Sequence, residues 1–233
     1  MPKLTLWFLQ ASRSIRVAWL LEELGLDYDV KFSERENGLA PPGFRQEAGG
    51  LGKFPMLQDG ELRIAESGCI VEYDCVAERR PRSMRYLPKC RYLCDTYDKE
   101  HRLLPAIGDP KRYQTLYWIH AAEAMWALHG LAILYVRWNQ KDGDPAKTEA
   151  SMSRNVINDM NFLEAELEKS KGKFLEGDVV TAADVMMQFS AMFILARKLG
   201  VTNEQYPKSA AWVKECEATE SFKKAVEKTG HKV

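Results

Sequence analysis

Gly52-Lys53-Phe54-Pro55-Met56-Leu57-Gln58-Asp59-Gly60 runs through Glu61 into Leu62-Arg63-Ile64-Ala65-Glu66-Ser67-Gly68, and the reading of this stretch decides the fold. Two short apolar segments, 54–58 and 62–65, flank Asp59-Gly60, a dipeptide suited to the tight turn of a β-hairpin. Pro55 has no N–H to give to a ladder, so it belongs at the start of a strand and not in its middle. A cis bond before Pro55 would turn the preceding backbone outward. The Phe54 N–H and C=O would then be offered to an extended peptide, as an edge strand offers them. Glu66-Ser67-Gly68 opens a helix to about residue 77 directly after the second strand. A helix N-terminus carries free N–H groups and partial positive charge and takes a carboxylate, while Glu66 offers an anion to an ammonium group. That one turn suits the amine and carboxylate of an amino-acid end, although Glu66 and Ser67 also serve as an ordinary helix cap.

Upstream, residues 3–9 read as an apolar strand buried on both faces, and Ser12-Arg13-Ser14-Ile15-Arg16 lies where that strand passes into a helix. Ser12 or Ser14 is placed to cap this helix, Val17, Leu20, Leu21 and Leu24 recur along one face, and Gly25 stops it. Residues 28–32 read as a second strand, followed by a Gly/Pro loop and a weak short helix at 44–48. The order is strand, helix, strand, helix, strand, strand, helix. A serine hydroxyl beside the first turn of a helix can donate to an anion. His101, His120, His129 and His231 all lie in the helical part beyond residue 94, and no His/Asp arrangement accompanies the serines, which argues against a nucleophilic serine.

From about residue 94 the chain turns almost wholly helical, with 3.6-residue apolar spacing over 113–138, 151–170, 182–199 and 210–226. The expected division is an α/β domain at 1–80, a linker or insertion at 81–93, and an all-helical domain at 94–233. Within 79–91 stand Arg79, Arg80, Arg82, Arg85, Lys89 and Arg91 with no acid, and Pro81 and Pro88 break any helix. This basic segment reads as a solvated insertion, expected to be mobile over 79–92. Thr181-x-x-Asp184, flanked by Val180 and Val185, has the form of a capping box with its hydrophobic staple.

The 233 residues carry 33 basic and 33 acidic side chains, a balance that argues against a nucleic-acid partner. No run approaches the ~18 uninterrupted apolar residues of a membrane helix, so no transmembrane segment is expected. The short apolar run at 4–9 meets Arg13 and Arg16 at once, unlike a secretory signal. Five cysteines without a Cys-x-x-Cys pair favour a reducing compartment over a disulfide framework. Cys90 and Cys94 have no histidine at zinc-finger spacing, and no metal is expected.

Together these stretches resemble the cytosolic glutathione S-transferase superfamily over nearly the whole length. The resemblance is carried by Ser12 to Gly25, Gly52 to Gly60 and Ala65-Glu66-Ser67-Gly68-Cys69-Ile70. In the helical half it is carried by Tyr117-Trp118-Ile119-His120-Ala121-Ala122-Glu123, by Phe174-Leu175-Glu176-Gly177-Asp178 and by Thr181-Ala182-Ala183-Asp184. The chain is most similar to the fungal and bacterial subgroup related to the yeast membrane-associated glutathione transferase. The resemblance implies a thioredoxin-like N-terminal domain and an all-α helical-bundle C-terminal domain that presents an electrophile-binding face. It implies conjugation of the glutathione thiolate to small, mostly apolar electrophiles, a detoxification role in the cytoplasm, a homodimer, and glutathione as co-substrate without a metal.

By the same resemblance Glu66 and Ser67 hold the γ-glutamyl end, Phe54 ahead of cis-Pro55 holds the cysteinyl backbone, and Lys53 holds the glycine carboxylate. The sulfur lies beside Ser12 or Ser14. In serine-type relatives the activating hydroxyl stands four positions before the arginine matching Arg16, which selects Ser12, with Ser14 as runner-up and cap. The fold also hosts glutathione-dependent peroxidases, disulfide reductases and non-catalytic regulatory modules; no cysteine near Ser12 supplies a protein-borne redox nucleophile. Two departures stand out. Gly49-Gly50 occupies the place of a histidine or asparagine with proline, and roughly twenty additional residues lie between Tyr73 and Leu93 when set against the family pattern. The electrophile is expected between the sulfur and the helical domain. Trp7, Phe8, Tyr113, Tyr117 and Trp126 are candidate walls, most of them more readily explained as core.

Overall fold

The computed structural model describes residues 4–65 and 89–232, the side chains of 89–91 excepted. Strands β1 (Leu4–Leu9), β2 (Tyr28–Ser33), β3 (Met56–Asp59) and β4 (Leu62–Ala65) form one sheet in the order β2-β1-β3-β4. β1 and β2 are parallel, in register from Leu4↔Tyr28 to Leu9↔Ser33, and β3 runs antiparallel to both β1 and β4. A parallel pair needs a crossover, supplied by α1 (Ser14–Glu23). β1 is central, which explains its continuous apolar sequence: Leu6, Trp7 and Phe8 are all buried.

Three local expectations need correction. Neither serine caps α1: the cap position is Arg13, with no side-chain cap bond, and Ser14 is already helical. The Ser12 oxygen accepts from the Ser14 N–H at 3.2 Å, a bond local to the turn that leads into the helix. β3 starts at Met56, two residues after the expected start, because Phe54 and Pro55 lie outside the ladder. α2 (Pro42–Ala48) begins ahead of 44, since Pro42 takes a first-turn position whose N–H has no helical partner. Gly25 ends α1 as expected: at φ +62° it adopts the left-handed conformation that closes a helix, and the next N–H, of Leu26, returns to the Leu21 carbonyl at 3.0 Å.

The chain divides into two compact units, one of Met1–Leu104 with Glu220–Val233 and one of Pro105–Thr219. The sequence reading drew its boundaries at 80 and 94 and gave the whole C-terminal stretch to the helical part. Here α3 (Lys89–Tyr97) covers the end of the expected insertion and belongs to the first unit. Its Tyr92 hydroxyl donates to the Asp59 carboxylate at 2.8 Å, and the Tyr97 hydroxyl donates to the same oxygen. The remainder of the basic segment and the helix expected after residue 66 lie outside the described residues.

The run 210–226 is not one helix. α8 (Pro207–Ala218) ends where Thr219 turns extended and its hydroxyl takes the Cys216 carbonyl at 2.7 Å. α9 (Glu220–Thr229) then packs on α1 in the first unit. Phe222 meets Trp19 edge to face at 5.2 Å, and the Trp19 indole N–H donates to Ser221 at 3.0 Å.

In the second unit, α4 (Pro110–Ala121), a π-helical turn (Ala122–Ala127) and α5 (Leu128–Asn139) form one apolar run, followed by α6 (Pro145–Lys169) and α7 (Ala182–Ala196). Asp109 and Asp144 cap α4 and α6, each followed by proline at the first helical position. Ser190 of α7 donates to the Ala122 carbonyl at 2.7 Å, where the π turn departs from the regular ladder. By length and composition alone the run 110–139 is apolar enough to cross a membrane, contrary to the expectation of no such segment; 44% of its most apolar stretch is buried in the protein.

α7 is buried along most of its length, and the capping box at its start is closed in both directions. The Asp184 carboxylate accepts from the Thr181 N–H (2.9 Å), the Thr181 hydroxyl (3.0 Å), the Leu175 N–H (2.9 Å) and the Trp212 indole N–H (3.0 Å). The sequence anticipated the first of these; the ties to Leu175 and Trp212 are tertiary.

Candidate functional site

Strand directions gather three chain segments at one end of the sheet. β1 leaves the sheet at Leu9 toward Ser12. β3 enters beside it, since Met56 pairs with Trp7, and β4 leaves there too, since Ala65 pairs with Met56. The serine turn, the Lys53-Phe54-Pro55 segment and the end of β4 therefore meet around one apolar cluster of Trp7, Leu9, Ala40, Ala48, Phe54, Met56 and Ala65. Phe44 of α2 stacks on Phe54 with ring centroids 4.9 Å apart, which fixes the segment preceding Pro55.

The Phe54–Pro55 bond is cis. Phe54 precedes the paired part of β3, so its backbone groups take no part in that ladder. Pro55 is buried and Lys53 exposed. Gly49 and Gly50 both have positive φ (+76° and +63°), a conformation that glycine adopts without steric cost. Glu66 and Ser67 fall just past Ala65 in sequence and lie outside the described residues.

In the serine turn, the Ser12 hydroxyl donates to the Leu9 carbonyl at 2.7 Å, and the Ser12 and Ser14 oxygens are 2.8 Å apart. With one proton on each hydroxyl, a Ser12 proton committed to Leu9 leaves Ser14 to donate to Ser12. Ser14 is fully enclosed, whereas Ser12 retains 8% exposure. Ser12 precedes the first turn of α1 and Ser14 opens it, and that turn carries no acidic residue to oppose an anion.

Sequence reasoning passed over Gln10 and Arg35, which surround this turn with hydrogen bonds. The signal for Gln10 was present but faint: a polar side chain directly after the apolar end of β1. Of the aromatics considered as pocket walls, Trp7, Phe8 and Trp126 are sealed in the core, while Tyr113 and Tyr117 are exposed. Among the described residues no group of three or more His, Cys, Asp or Glu is placed to hold a metal ion.

Comparison with known proteins bears directly on this arrangement. The family model for the glutathione S-transferase N-terminal domain matches residues 2–73, and that for the C-terminal domain matches 124–220. The chain belongs to the glutathione S-transferase family. Saccharomyces cerevisiae glutathione S-transferase 1 is 25% identical, the alignment covering 98% of this chain and 96% of the relative. A glutathione S-transferase structure from Actinobacillus pleuropneumoniae superposes with TM-score 0.78 at 29% identity, covering 98% of this chain and 93% of the other. The fold is also that of a Phanerochaete chrysosporium glutathione transferase solved with oxidized glutathione (TM-score 0.72, 19% identity, coverage 97% and 95%). As a glutathione S-transferase, the chain has the expected thioredoxin-like sheet domain and helical domain, with the cis-proline segment in the former.

Proposed function

We propose that this glutathione S-transferase binds glutathione at the three-segment end of the sheet and activates its thiol for attack on a small electrophile. The observation that carries the reading is the convergence there of the Ser12 turn, the Phe54–Pro55 segment and the end of β4. Phe54 offers backbone groups for the cysteinyl part and the exposed Lys53 an ammonium for the glycine carboxylate. Glu66 and Ser67 are proposed for the γ-glutamyl end. Related structures with bound glutathione or oxidized glutathione support the ligand class.

Ser12 is the proposed partner of the sulfur and Ser14 its support. When Ser12 turns its proton from the Leu9 carbonyl to the sulfur, the Ser14 hydroxyl and the Ser14 N–H still donate to the Ser12 oxygen. A hydroxyl that accepts hydrogen bonds donates more strongly. A free thiol of pKa ~8.5 is mostly protonated at neutral pH, and bringing it to ~6.5 requires about 2.7 kcal/mol. A charge-assisted hydrogen bond together with the start of α1 is of that size.

The test is an ultraviolet titration of thiolate absorbance in bound glutathione. Ser12→Ala should raise the midpoint by about one pH unit or more, Ser14→Ala by less. If neither variant moves the midpoint, the serine assignment is wrong; if wild-type protein shows no calorimetric binding of glutathione, the reading fails altogether. An aryl halide, a hydroperoxide and a mixed disulfide assayed side by side separate conjugation from peroxidase or reductase activity. A two-fold homodimer and a cytoplasmic detoxification role complete the proposal, to be checked by sedimentation and by fractionation of the source cells.

A further inference from the structure

Ala11, the residue before Ser12, is held at φ +51°, a left-handed conformation that a side chain normally resists. Such a turn persists only where its surroundings fix it. Here each polar group of the two residues before Ser12 is engaged. The Gln10 N–H donates to the Ser33 carbonyl at 3.0 Å. The Arg35 guanidinium donates to the Gln10 carbonyl at 2.9 Å and to the Ala11 carbonyl at 3.2 Å. The Gln10 side-chain oxygen accepts from the Ala11 N–H at 2.9 Å and from the Lys232 N–H at 3.1 Å, while its amide donates to the Gly230 carbonyl at 2.9 Å.

The last two bonds join residues more than two hundred positions apart in sequence, and all the residues involved belong to one compact unit. Between Gly230 and Lys232, the His231 ring sits edge-on to Phe8 of β1 at 5.9 Å and is itself buried. Gly230 ends α9 at φ +62° and directs the chain back to the sheet. The tail is thus seated at both its backbone and its one ring.

We propose that Gln10 and the segment 230–232 form a latch that positions the serine turn, making Gln10 a positioning residue for thiol activation through Ser12. The proposal rests on the assignment of Ser12 to the sulfur. Its structural part is independent of that assignment: releasing the tail should loosen Ala11 and the residues that follow.

The experiment compares Gln10→Leu, which loses all three side-chain bonds, with Lys232→Pro, which removes one N–H far along the sequence and touches no proposed binding group. Hydrogen exchange of the peptide spanning 10–16, without ligand, should be several-fold faster in both. The thiolate midpoint of bound glutathione should rise by about half to one pH unit, with glutathione affinity changed less than the midpoint implies. Unchanged exchange in both variants overturns the latch. Faster exchange with an unmoved midpoint overturns the positioning role. If wild-type protein shows no thiolate signal, the proposed function has failed, and exchange alone then judges whether the tail holds the turn.

Discussion

Asp184→Ala is the substitution whose cost the structure specifies best. The carboxylate is fully buried and accepts four hydrogen bonds, two on each oxygen. Removing it leaves the N–H groups of Leu175 and Thr181, the Thr181 hydroxyl and the Trp212 indole N–H without that acceptor. A buried donor deprived of its partner costs about 1–3 kcal/mol. Two effects reduce a simple sum: relief of the desolvation that pushes the Asp184 carboxyl upward, and relaxation of the Thr181 hydroxyl toward another acceptor. A net loss of about 4 kcal/mol is therefore expected, which at this chain length lowers the melting temperature by roughly 8–16 °C. Asp184→Asn keeps one carbonyl oxygen but sets an NH2 group against two donors, and should cost about half as much. Thermal and urea unfolding, followed by circular dichroism, measure both. A soluble Asp184→Ala protein that melts within 2 °C of wild type, equivalent to the ~0.5 kcal/mol of a neutral surface change, would refute the reasoning.

Two further outcomes follow from side chains already described. Burial lowers the His231 pKa from 6.5 to about 4, so the folded protein binds fewer protons than the unfolded chain between those values. Stability from this group is complete above pH 6.5 and falls as pH drops toward 4, by about 3 kcal/mol in all; the melting-temperature profiles of wild type and His231→Phe should diverge over that window, and parallel profiles would contradict the sign. Lys53→Met should weaken glutathione several-fold by calorimetry with little change in the thiolate midpoint, because an ammonium at the glycine end binds without touching the sulfur; an affinity equal to wild type would remove Lys53 from the site.

Much of the first unit was legible because strand and helix signals there are local. Asp59-Gly60 marked the hairpin, and the apolar run at 54–58 marked β3 to within two residues of its start. Gly25 marked the end of α1, and in the second unit Thr181-x-x-Asp184 marked the start of α7. Serine at the start of α1 misled, because the Ser12 hydroxyl, one residue ahead of the cap position, bonds within its own turn instead of capping the helix. The split at Thr219 was hidden for a different reason: helical periodicity continues on both sides, and only the docking of α9 on α1 requires the break.

The sequence by itself determined the order of elements from β1 to β4, the hairpin and the capping box, because each depends on neighbours within a few positions. Only the tertiary structure decided that α9 and the tail belong with the sheet and that Gln10 ties Ala11 to Gly230 and Lys232. It likewise decided that Asp184 answers to Trp212 as well as to its own helix. Those are hydrogen bonds between groups dozens to hundreds of residues apart. No local propensity encodes them; they form because burial leaves each polar group no water to turn to.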